Sequence, residues 1–142
     1  MTKDLERACN MLKGGGYTCV LCRDEVTHTS FARGVRPLLE LIDGEGVWKD
    51  FSAADKVVGK ATAFLYVLLG VRAVHALVIS APAAQVLEQF GVEVSWDVQV
   101  EAISNRTNTG PCPMESAVRD ISQPMQALDA IRTALARLMA NG

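Results

Sequence analysis

Apolar positions recur at spacings of three and four over residues 3–13, through Leu5, Ala8, Cys9 and Leu12, until Gly14-Gly15-Gly16 breaks the run. That is the period of a short amphipathic helix and its stop. Residues 17–23 and 26–30 are β-prone and separated by Asp24-Glu25, which predicts a hairpin. Residues 36–42 return to a helical period, with Pro37 tolerable in a first turn and Gly44 and Gly46 closing it. Ala54, Val57, Val58, Ala61, Leu65 and Leu68 fall on one stripe and predict a longer helix over 54–69.

Residues 73–79 are apolar throughout except for His75, the pattern of a central strand covered on both faces, with the histidine satisfied inside the core. A helix over 82–90 follows, opened by Ser80 or Ala81 and closed by Gly91. Val92, Val94, Trp96, Val98 and Val100 then alternate with Glu93, Ser95, Asp97 and Gln99, which marks a strand with one wet face. Beyond a polar loop over 104–111, a short helix starts near Pro113. A last helix over 125–139 presents Met125, Leu128, Ile131, Leu135 and Leu138 on one side, to pack on its own sheet or on another subunit. A hairpin followed by alternating helices and strands predicts an α/β fold, a three-layer α/β/α sandwich with a mixed sheet, in one domain spanning 1–142.

The chain has 142 residues, 49% of them hydrophobic and 21% charged, with a net charge of -2. A chain of that size buries one real core without a staple. The absence of a Lys/Arg-rich run disfavours a nucleic-acid footprint. The charged start and the lack of a long apolar run predict neither a signal peptide nor a membrane span, hence a cytosolic protein. Cys9, Cys19, Cys22 and Cys112 are then thiols. Cys19 and Cys22 form a C-x-x-C, but positions three apart on a strand point to opposite faces, which removes them as a metal or redox pair. With only His28 and His75 besides, no zinc set is expected, and no cofactor.

Two stretches carry candidate chemistry. Asp55, Lys56 and Lys60 sit at the predicted start of the long helix, where free N–H groups and two ammonium groups suit an anionic ligand; the plain alternative is a solvated basic face capped by Asp55. Gly59-Lys60-Ala61-Thr62 lacks the glycine approach of a phosphate loop, which excludes a nucleoside triphosphatase. In the second stretch, Pro113 as first helical residue makes Cys112 the cap and Glu115 the third position, a capping box. A thiol at a helix start is a candidate nucleophile or sulfur carrier, or only a turn residue. Asn105 and Arg106 on the same loop either grip an anion or make loop hydrogen bonds only, and Ser30, after the hairpin, suits a substrate loop or a plain connection.

Three segments taken together, 30–41 (SFARGVRPLLEL), 54–63 (ADKVVGKATA) and 105–115 (NRTNTGPCPME), resemble an uncharacterised bacterial domain family with a fold similar to cytidine deaminases. The resemblance implies a deaminase-like sandwich. Deaminases hold zinc with a His/Cys-Ala-Glu motif at one helix start and Pro-Cys-x-x-Cys at the next. The corresponding stretches are Ala54-Asp55-Lys56 and Ser80-Ala81-Pro82-Ala83-Ala84, and the ligands are missing. The resemblance implies a fold and not an activity; on that fold the first reading is a zinc-independent site for a small molecule, nucleoside-like or anionic, in which Lys56 and Lys60 hold an anionic group, Asp55 or Glu115 orients the ligand or moves a proton, and Ser30, Asn105 and Arg106 bind it. Two alternatives stand beside it: a sulfur or acyl transferase acting through Cys112, and a non-catalytic binding or assembly module. Self-association is compatible with all three.

Overall fold

A computed structural model describes residues 1–104 and 112–141 of the chain. Helix α1 (Lys3–Gly15) is opened by the Thr2 hydroxyl, which accepts from the Leu5 amide, and ends at Gly16 with φ 71°. Strands β1 (Cys19–Arg23) and β2 (Val26–Ser30) form the predicted hairpin. Asp24 turns it with φ 51°, a conformation that aspartate tolerates better than most residues. Helix α2 (Arg36–Asp43) follows with Pro37 in its first turn.

The predicted helix over 54–69 is wrong in its first half. Residues there form strand β3 (Ser52–Val58), and helix α3 (Lys60–Leu69) starts only after Gly59. Val57-Val58 is a β-branched pair, and β3 has a strand on either side to pair with, antiparallel β1 and parallel β4 (Ala73–Ser80). The apparent stripe misleads for a second reason. From Ala61 to Tyr66 every residue of α3 is buried, so the helix has no polar face to define a stripe against. Asp55 and Lys56 consequently lie on a strand, and the helix start belongs to Lys60 alone.

Helix α4 (Ala81–Gln89) opens under the Ser80 hydroxyl, which accepts from the Ala83 amide, and leads to strand β5 (Glu93–Val100). Helices α5 (Pro113–Val118) and α6 (Pro124–Asn141) complete the described chain. The sheet order is β2-β1-β3-β4-β5, with β3, β4 and β5 parallel. It is a mixed five-stranded sheet with helices, an α/β fold.

Alternation along the strands divides the apolar residues between two cores. Cys19, Leu21, Ala53, Val74 and Ala76 join the larger one with residues of α2 to α6. Val20, Cys22, Ala54 and Ala73 meet Leu5, Ala8, Cys9 and Leu12 of α1. The two cysteines of the C-x-x-C thus part to different cores. His75 is buried and its ring is held by Ser95 (2.7 Å) and Asp97 (3.0 Å) from β5, the satisfied core histidine expected. Its hydrogen bond, backed by Lys13, holds the Asp97 carboxyl below its usual range. The apolar face of α6 buries only its middle, at Ala127, Leu128 and Ile131, while Met125 and Leu138 are exposed.

Helix α3 ends at Gly70, φ 76°, whose amide returns to the carbonyls of Tyr66 and Val67. A methyl added there would meet Lys49 at an ordinary van der Waals distance of 3.6 Å, so it has room but the wrong backbone conformation. Gly70→Ala should cost about 1 kcal/mol in chemical denaturation, the usual strain of a left-handed non-glycine residue.

Candidate functional site

The carboxyl ends of parallel strands are where open α/β sheets usually bind ligands. Here that edge carries the starts of α3 and α4, with α5 close by. The α3 start is already occupied by a carboxylate of the protein itself. Glu115 Oε2 accepts from the Lys60 amide (2.9 Å) and Oε1 from the Ala61 amide (3.4 Å). The cap requires Gly59, because a Cβ on that residue would overlap the Glu115 carboxylate. Lys60 Nζ is spent on the Arg119 carbonyl (2.9 Å). Burial raises the Glu115 pKa, and the two amides and the Lys60 charge act against that rise.

The capping box predicted within α5 does not form. Cys112 occupies the cap position, but its sulfur makes no capping hydrogen bond, and Glu115 reaches out of its own helix to α3. Glu115 and Lys60 therefore do meet, as a staple between α5 and α3. Lys56 is exposed on β3 and is not the turn-neighbour of Lys60. Asn105 and Arg106 lie outside the described residues.

A second cluster was only half visible in the sequence. Cross-strand registry sets Ser30 beside Cys19, Cys19 beside Asp55 and Asp55 beside Ala76, one row across four strands. Side chains in such a row share a face. Asp55 accepts from the Tyr66 hydroxyl of α3 at 2.6 Å through Oδ2, and from the Val57 amide at 3.2 Å through Oδ1. The same hydroxyl lies 3.3 Å from the Cys19 sulfur. Burial pushes the Asp55 carboxyl up to about 6, with the bonds from Tyr66, Val57 and Lys56 acting against it. Burial also raises the Cys19 thiol and the Tyr66 phenol. No salt bridge reaches Asp55 among the described residues. The Ser30 hydroxyl accepts from the Ala32 amide (3.1 Å), shaping the turn after β2.

Sequence reasoning picked Asp55 and Ser30 but missed Cys19 and Tyr66, since neither pairing has a local spacing. Two residues along β3 from Asp55, Val57 is 46% exposed and heads an apolar row with its registry partners Val78 and Val98.

Residues 7–135 match the family described as TM1506, domain of unknown function (DUF1893). The chain belongs to the DUF1893 family. A solved DUF1893 protein, TM1506 from Thermotoga maritima, superposes with a TM-score of 0.82 at 24% identity over 96% of this chain and 92% of the other. That likeness bears on the fold. No curated protein matches the sequence. In this DUF1893 chain no three His, Cys, Asp or Glu side chains among the described residues gather as a metal ion would require. Neither the α3 start (Gly59-Lys60-Ala61) nor the α4 start (Ala81-Pro82-Ala83) contributes a metal-binding side chain of its own, so the residues present do not fit a deaminase zinc centre. Among the described residues no helix is long and apolar enough to cross a membrane.

Proposed function

We propose that this DUF1893 protein is a cytosolic, zinc-independent small-molecule-binding domain built on a deaminase-like three-layer arrangement, with its site at the Ser30–Cys19–Asp55 row. The observation that carries the proposal is Asp55, a partly buried carboxyl that no salt bridge reaches among the described residues, bonded to a phenol and pushed up to about 6 by burial. Such a group gives up stability at pH 7, and sites of function are where proteins tolerate that. It serves as an acceptor when ionised and as a donor when protonated, which suits the hydrogen-bonding edge of a neutral, nucleoside-like molecule resting on the apolar row of Val57 and Val78. An anionic ligand at the α3 start fits less well, because Glu115 already holds two of its amides.

Glu115 also favours a second reading. With the α3 start filled by the protein's own carboxylate, that end of the sheet is a rigid packing element, and a fold can serve as a binding or assembly module without chemistry there. Among the described residues no base stands in hydrogen-bond contact with the Cys112 sulfur, so a transferase has less support than either.

Native mass spectrometry of the freshly purified chain, set against its denatured mass, tests the proposal. A non-covalent organic adduct should be retained by wild type and lost from Asp55→Asn, and added nucleosides should raise the melting temperature of wild type alone. A bare wild-type chain that no nucleoside stabilises overturns the ligand site. An adduct held equally by Asp55→Asn moves the site elsewhere.

A further inference from the structure

Strand β5 is the outer strand of the sheet, and among the described residues only β4 pairs with it. The Glu93 amide donates to the Arg72 carbonyl, on the β4 side. Backbone groups alternate along a strand, so the amides and carbonyls of Val94, Trp96, Val98 and Val100 point outward from the sheet. Edges of this kind are normally blunted by shortness, by lysine or proline, or by a charge turned onto the edge. β5 is eight residues long and contains no Lys, Arg or Pro. Its central charge, Asp97, is drawn sideways to His75 and Lys13. Val98 is left 52% exposed. The opposite edge is better protected: β2 has five residues, and the Val26 carbonyl is taken by Arg7.

We infer that β5 pairs with β5 of a second copy of this chain, antiparallel about a two-fold axis through Val98, making one continuous ten-stranded sheet. The occupant is a second copy because the strand complements itself in this register. Centring the axis on Asp97 opposes two aspartates, and centring it on Gln99 sets Asp97 against Glu101. Both are repulsive. Centring it on Val98 sets Val98 against itself, Trp96 against Val100 and Asp97 against Gln99, so one face of the seam is apolar and the other carries no like-charged pair. The exposed valine is then covered by its own counterpart.

The test uses the full chain. Size-exclusion chromatography with light scattering, run from low to high micromolar concentration, should show a dimer that Val98→Lys converts to monomer, since two ammonium groups would meet on the axis. Circular dichroism of that variant should match wild type. Val98→Cys, placed in a Cys112→Ser background, gives a second readout independent of how the lysine variant folds. A hydrogen-bonded antiparallel pair holds its Cα atoms about 5.5 Å apart. That lies inside the span of about 4.4–6.8 Å a disulfide bridges. Mild oxidation should therefore yield a covalent dimer. A wild-type monomer at every concentration overturns the inference. So does a dimer that survives Val98→Lys and does not cross-link through position 98.

Discussion

Measured by urea unfolding at a series of pH values, wild type should lose about 2–3 kcal/mol of stability relative to Asp55→Asn between pH 4 and pH 7. An unfolded aspartate titrates at about 3.9. In the folded protein Asp55 is pushed up to about 6 by burial. Between those values the folded chain keeps a proton that the unfolded chain has released. The stability tied to that proton is complete below about pH 4 and is lost as the pH rises through about 6. Asparagine removes the titration and keeps the geometry. Its amide donates to the Tyr66 oxygen, its carbonyl still accepts from Val57, and the Tyr66 proton turns to the Cys19 sulfur already 3.3 Å away. Parallel stability curves for the two proteins would show that Asp55 is not the buried acid described.

The second large effect lies at the staple between α5 and α3. Gly59→Ala and Glu115→Ala should each cost about 1.5–3 kcal/mol in equilibrium denaturation, the range for losing charge-assisted hydrogen bonds at a helix start. The double variant should cost no more than the worse single one. At Gly59 a methyl has no strain to pay, since the backbone there is extended at φ -94°; it acts only by displacing the Glu115 carboxylate from the amides of Lys60 and Ala61. Both substitutions therefore remove one interaction, and their coupling should equal its whole worth. Additive costs would mean that Gly59 matters for another reason.

Much of the architecture could be read along the chain wherever one period prevailed. The hairpin, β4 with its lone histidine, α4 under its serine cap and the alternating β5 all declare themselves locally. β3 did not, because Ala54, Val57, Val58, Ala61 and Leu65 continue a helical spacing across a strand, a glycine and a helix. What makes residues 52–58 a strand is pairing with β1 and β4, information held elsewhere in the chain. That error displaced the site as well. Lys56 and Lys60 looked like neighbours on a helical turn, whereas the partners of Asp55 are Cys19, 36 positions earlier by number, and Tyr66 on the next helix. Glu115 was singled out correctly, but a local rule assigned it to its own helix, and the 55-residue separation from Lys60 is beyond any spacing argument.

Helix α3 is apolar around its circumference and is enclosed by the sheet and by α2, α4, α5 and α6. A strand or a surface helix can dock on one side and remain soluble on the other, but this one cannot. During synthesis it leaves the ribosome before α5 and α6 exist to cover it. Until those C-terminal helices arrive, the nascent chain carries a greasy cylinder that chaperones would bind and aggregation would exploit. Helices α5 and α6, made after α3, are thus the segments that close the core over it.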